Sequence, residues 1–218
     1  MRNRTGVFLI IFMSFLLSGV PLPALDSFEL DGGLFFITST DPDSAPSPLL
    51  PSIGVTFPFQ RKLWIFRLES SFLLTGTWYQ YANGRASPAE PEFRDYATVC
   101  ILSDFRAAYS FLERESFSVG TDVGLAAFLR LPIPLPGSAN AVDNLGSTFT
   151  DFYVFRFIYP ETGIFGTYRI RENLDLKLSL RAYWPLYLLW SPEDPPFPEG
   201  LLVTGLIGLI WELPPKES

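Results

Sequence analysis

From Leu174 to Ala182 the chain alternates without a break: Leu174, Leu176, Leu178, Leu180 and Ala182 are separated by Asp175, Lys177, Ser179 and Arg181. Successive side chains of an extended strand point to opposite faces, so this segment puts its charge on one face and its hydrocarbon on the other. A helix would scatter the same charges round its axis. The period of two recurs along the chain. Trp64, Phe66, Leu68, Phe72 and Leu74 oppose Arg67, Glu69, Ser71, Thr75 and Thr77. Phe117, Val119, Val123, Leu125 and Leu129 alternate with Ser118, Gly120, Asp122 and Gly124, and Ile53, Val55, Phe57 and Phe59 with Gly54, Thr56, Pro58 and Gln60. The pattern predicts an all-β chain.

The connections sort by length. Short polar turns are predicted at Gln60 to Lys62, Leu112 to Ser116 and Arg171 to Asn173. Long loops are predicted at Ser39 to Pro51, Gln80 to Arg94, Leu131 to Phe149 and Ser191 to Gly200. Long and short alternate strictly, and seven connections join eight strands. Short periplasmic turns and longer extracellular loops are the mark of an outer-membrane barrel, and a soluble sandwich has no reason to sort its connections this way. The expected fold is an eight-stranded antiparallel up-and-down transmembrane β-barrel.

Alternation alone does not say which solvent the apolar face meets; aromatic placement does. Trp64 and Trp78 share a face near opposite ends of one predicted strand. At ~3.3 Å per residue they lie roughly 46 Å apart, or about 35 Å along the axis of a strand tilted by ~40°. That brackets an apolar band of ~25 Å with an aromatic girdle at each edge. Trp184 or Trp190 is expected at the outer edge and Trp211 at the inner one. The charged fraction of 18% is below the quarter usual in soluble domains.

The start reads as an export signal: Arg2 and Arg4, an apolar run from Val7 to Val20, and a small residue at Ala24. The expected organisation is a signal peptide over 1–24 and a barrel over 25–218, in the outer membrane of a diderm bacterium. No later apolar stretch is long enough to span as a helix, so a membrane reading requires a barrel. The single cysteine, Cys100, excludes an internal disulfide. The net charge of −7 excludes a nucleic-acid partner, which needs a cationic surface.

Loop lengths orient the strands, and orientation assigns each inward residue a depth. The periplasmic half collects Glu29, Asp31, Arg67, Glu69, Asp104, Arg106, Asp122, Arg169, Asp175, Lys177 and Arg181. Charges of both signs in so narrow a lumen are expected to pair into a plug, since an unpaired buried charge is costly. The extracellular half is apolar: Phe35, Ile37, Leu73, Cys100, Leu102, Ala126, Phe128, Leu202 and Leu206. An apolar cup above a charged plug suits a small hydrophobic molecule; a dry, self-packed upper core is the alternative.

With these features the chain resembles the small eight-stranded outer-membrane proteins, and its apolar upper lumen is similar to that of the OmpW family. The resemblance is architectural, spans the whole mature chain and carries over no functional residue. Similarity to OmpW implies passage of small hydrophobic compounds through a lateral gap in the wall. Similarity to the OmpX or OmpA-barrel type implies adhesion or a structural role through the long loops. The partners expected are the lipid bilayer and a small hydrophobic molecule.

Other motifs weigh less. Gly76-Thr77-Trp78 matches the short lipocalin signature but ends a strand instead of opening the first one. Gly32-Gly33 has no helix after it to bind phosphate. The chain has no His, so a Ser–His or Asp–His dyad cannot be built, no cofactor is expected, and the protein is read as a non-enzyme. Asp41 with Asp43, or Glu193 with Asp194, reads as a solvated acidic loop, and no metal site is assigned. Pro160 to Gly163 is expected to interrupt the sixth strand with a bulge, placing its first half, from Phe152, outside the membrane; an extra hairpin in the third external loop is the alternative.

Overall fold

The computed structural model describes residues 27–38, 49–63, 65–82, 85–90, 92–152, 157–186 and 200–213. The predicted signal peptide, Trp64, Trp190 and the acidic pairs Asp41/Asp43 and Glu193/Asp194 lie outside these residues.

The alternating segments form strands β1 (Ser27–Ile37), β2 (Leu49–Leu63), β3 (Phe66–Ala82), β4 (Arg85–Pro88), β5 (Tyr96–Glu113), β6 (Phe117–Pro134), β7 (Ile158–Arg171), β8 (Leu174–Tyr183) and β9 (Leu202–Glu212). All pairings are antiparallel between neighbours. β1 pairs with both β2 and β9, and β2 pairs with β3, so eight strands close a ring; β4 pairs with β3 alone, as a hairpin arm. Closure gives each of the eight ring strands a partner on both sides. Among the described residues no helix is long and apolar enough to cross a membrane.

Side chains decide which way the ring faces. Lys177, Arg106 and Arg181 are 1%, 1% and 2% exposed, whereas Leu178, Leu125 and Ile164 on the outside are 55%, 59% and 59% exposed. The barrel is inside-out relative to a soluble one: hydrocarbon covers the wall and charge fills the centre. In water that arrangement would forgo the hydrophobic effect that drives folding, while leaving ions buried. In a bilayer it satisfies both requirements.

Aromatics mark the two edges. At the periplasmic end Phe28 stacks on Trp211 with centroids 5.4 Å apart. At the outer end Trp184 donates from Nε1 to Thr162 Oγ1 at 3.1 Å, and the Arg94 guanidinium lies 4.3 Å from the Trp78 ring centroid.

Three details differ from the sequence reading. β7 runs unbroken through Pro160 to Gly163, with Pro160 opposite Leu125. The Pro160 carbonyl accepts from the Trp184 N–H at 2.8 Å, so its main-chain groups point toward β8 and the missing N–H removes no bond to β6. Register shifts occur instead near the periplasmic turns, at Pro58/Lys62, Ser110/Leu112 and Arg169/Arg171. The first turn falls after Leu63, not at Gln60 to Lys62. The third long loop is partly folded: β6 extends to Pro134, and two short helices follow, α1 (Ala139–Asp143) and α2 (Leu145–Thr150).

Candidate functional site

The lower lumen is closed by one connected network. On β5 the inward positions Asp104 and Arg106 are two residues apart, and the Arg106 guanidinium reaches Asp104 Oδ1 at 2.6 Å and, across β3, Glu69 Oε2 at 2.9 Å. The same guanidinium donates to Ser71 Oγ at 3.0 Å, and Ser71 in turn donates to Asp104 Oδ2. From β8, Lys177 Nζ reaches Glu29 at 2.9 Å and Glu69 at 3.2 Å. Arg181 Nε donates to Asp122 Oδ2 at 3.2 Å, and Thr56 Oγ1 donates to Asp31 Oδ2 at 2.8 Å. Glycines make room at the wall: a Cβ on Gly163 would stand 2.3 Å from Asp122 Oδ1, and one on Gly208 2.4 Å from Glu29 Oε1.

Of the charges assigned to the plug, Glu29, Asp31, Glu69, Asp104, Arg106, Asp122, Lys177 and Arg181 are buried together. Arg67, Arg169 and Asp175 are not. They line an open polar vestibule of about 320 Å³ at the periplasmic mouth, where Arg169 and Asp175 lie 3.5 Å apart with side chains 53% and 22% exposed. Arg67 still reaches the network from the mouth, its Nη2 2.7 Å from Glu69 Oε1 with the side chain 40% exposed. Glu161, 1% exposed beside the network, was missed because Pro160 masked its strand. Its strand parity with Tyr159, Gly163 and Phe165 was the available signal.

Above the network all nine predicted apolar positions, Phe35, Ile37, Leu73, Cys100, Leu102, Ala126, Phe128, Leu202 and Leu206, form a single buried cluster. Tyr159 and Tyr183 complete it; both sit near strand ends, where sequence gives the weakest facing signal. Phe35 stacks on Phe128 at 5.5 Å, and Phe128 meets the edge of Tyr159 at 6.2 Å. The layer is filled by its own side chains, leaving a cavity of about 20 Å³ lined in part by Ile37, Tyr79, Phe128, Arg130 and Leu202.

The second and third external loops cover this layer. Tyr79, Ala86, Tyr96, Ala141 and Phe152 form a second apolar cluster. Tyr96 donates its hydroxyl proton to Ala141 O at 2.8 Å, Ser138 Oγ donates to Asp95 Oδ1 at 2.6 Å, and the Ala86 N–H to Asp151 Oδ2 at 3.2 Å. Arg130 links cap to core, its guanidinium 4.2 Å from the Phe152 ring centroid and 5.0 Å from that of Phe128. Arg130 continues the inward parity of Ala126 and Phe128 on β6, which was the available signal for it, whereas the cap is not legible in a sequence that reads Leu131 to Phe149 as loop.

An inside-out ring of eight antiparallel strands, with charge within and aromatics at both edges, decides the class. The protein is an outer-membrane β-barrel. No family model and no curated protein matches the sequence. Solved structures match the fold. Neisserial surface protein A superposes with a TM-score of 0.54 at 12% identity, covering 86% of this chain and 96% of that one. The outer-membrane protein OprG from Pseudomonas aeruginosa superposes with a TM-score of 0.51 at 9% identity, covering 88% and 98%. Against the lateral gap implied by resemblance to OmpW, the ladders between the eight strands of this outer-membrane barrel close the ring. Among the described residues several strands outlast a neighbour: β3 runs to Ala82 while its outermost partner on β2 is Ser52, opposite Thr75, and β6 runs to Pro134 while its outermost described register partner on β7 is Ile158, opposite Ala127.

Proposed function

We propose that this outer-membrane barrel, exported by removal of residues 1–24, binds a small hydrophobic molecule in its upper lumen and passes it sideways, not down the axis. The observation that carries this reading is the division of the lumen by depth. Eleven buried residues form an apolar layer directly above a network that ties Arg106, Lys177 and Arg181 to carboxylates. A hydrophobic solute gains from the first and is rejected by the second, where breaking buried ion pairs is strongly unfavourable. The layer is filled at rest, so a solute enters by displacing the cap at Tyr79 and Phe152. Its lateral route lies at the outer end of the β6–β7 seam, above the pair Ala127 and Ile158.

The test is uptake of a small hydrophobic solute by cells carrying wild type, Leu102→Asp or Phe128→Asp, with folding followed by the gel mobility of unboiled samples. Loss of uptake in folded variants is expected. Unchanged uptake ends the reading. If shortening Tyr81 to Glu92 abolishes binding to host or matrix surfaces while uptake stays normal, the protein instead acts as an adhesin through its loops.

A further inference from the structure

We infer that the periplasmic half of the wall carries a seat for one acyl chain of an inner-leaflet phospholipid. A depression of about 480 Å³ crosses the outer face from β6 to β9, lined by Val119, Ile164, Gly166, Leu178, Gly205 and Ile207 among others. Its flanks are hydrocarbon: Ile164, Leu178, Leu180 and Ile207 are 59%, 55%, 52% and 57% exposed. Its floor is thin because two outward positions are glycine. A Cβ on Gly205 would meet no atom within 4 Å, and one on Gly166 would meet only Ser118 O, at 3.8 Å. Internal packing therefore does not require glycine at either position, in contrast to Gly163 and Gly208 on the inward face.

The occupant follows from continuity with the lipid-facing wall. The depression opens onto the hydrocarbon band and presents no charged side chain. Gly166 lies five residues above Arg171, the periplasmic end of β7. At ~3.3 Å per residue and a tilt of ~40° that is roughly 13 Å along the axis, within reach of a chain whose headgroup sits at the periplasmic interface, since a leaflet's hydrocarbon is ~15 Å deep. Inside a bilayer the hydrophobic effect does not favour one apolar contact over another, so retention rests on van der Waals fit. A fixed dent against fluid chains forfeits those contacts unless one chain lies in it. A second copy of the barrel fits less well, because a patch of this size is far below the area of a stable interface.

The experiment reconstitutes the full barrel with phosphatidylethanolamine and phosphatidylglycerol, extracts it, and weighs it by native mass spectrometry. Wild type is expected to keep one phospholipid, and Gly166→Leu/Gly205→Leu to lose it while retaining the gel mobility of a folded barrel. Gly205→Leu alone, at the more open position, serves if the double variant does not fold. A wild type that keeps no phospholipid, a folded leucine variant that keeps it equally, or a dimer that the leucines dissociate overturns the inference.

Discussion

Lys177 on β8 places its Nζ 3.2 Å from Glu69 Oε2 on β3, bridging strands on opposite sides of the ring. The same ammonium holds Glu29 at 2.9 Å, so one cation ties β8, β1 and β3 together across the lumen. Removing one partner of a buried ion pair costs about 3–5 kcal/mol, because the other charge is left without compensation. Lys177→Met is therefore expected to lower, by that order, the stability of the barrel. A marked drop in the temperature at which the unboiled form is lost on a gel checks it. Adding Glu69→Gln to Lys177→Met should recover part of the loss; no recovery would show that the two residues are not coupled.

The network and the filled layer above it close the axis. In a planar bilayer the wild-type barrel is expected to be nearly silent. Steady ion conductance through the folded, monomeric protein would show an open lumen and contradict the plug.

The two faces of β8 should respond to charge in opposite ways. Arginine on a lipid face near the bilayer midplane costs about 2–4 kcal/mol. Leu178→Arg is expected to impair folding into vesicles by that order, measured as the denaturant midpoint. Ser179→Ala, on the inward face one residue on, removes a hydroxyl beside the network and should shift the midpoint by no more than about 1 kcal/mol. Equal tolerance of both changes would mean that the wall at Leu178 does not face lipid.

Glycines on the two faces separate in the same way. Gly163→Ala drives a methyl to within 2.3 Å of Asp122 Oδ1 and 2.7 Å of Arg181 Cγ, and overpacking of this kind costs about 1–3 kcal/mol. Gly205→Ala meets nothing within 4 Å and is expected to leave the midpoint where it is. Thermal gel-shift curves of the two variants, run side by side, check the contrast.

Alternation with charges made most of this structure legible. Lys177 among leucines fixed the inward face of β8, and the i, i+2 pairs Arg67/Glu69 and Asp104/Arg106 fixed those of β3 and β5. The nine apolar cup positions followed from the same parity and gather in one cluster. What was lost lies where parity has no continuous run to act on. Pro160 hid Glu161 and Tyr159, although a proline whose main chain faces a ladder's end costs a strand little. The cap was lost because Tyr79 on β3 meets Ala141 and Phe152 of the third loop through tertiary contacts, which no local period encodes. Arg169 and Asp175 have inward parity yet sit in the open mouth, since parity gives a face and not a depth.

The cap yields the last prediction, through Phe152. Its ring packs edge-on against Tyr79 at 5.0 Å and receives the Arg130 guanidinium at 4.2 Å. Phe152 is 0% exposed, and a large-to-small change at such a site costs about 3–5 kcal/mol locally. The strands below it are hydrogen-bonded around a closed ring, so the loss should fall on the cap and not on the wall. Phe152→Ala is expected to raise hydrogen exchange at Ala86 and Ala141, whose amides bond to Asp151 and Ser138, while amides of β8 and β9 stay protected. With the cap loosened, an apolar fluorescent probe should reach the layer around Phe128 faster than in wild type, in the same detergent. A rise in cap exchange without faster probe entry would show that Phe152 only holds the loops together and does not gate the upper lumen.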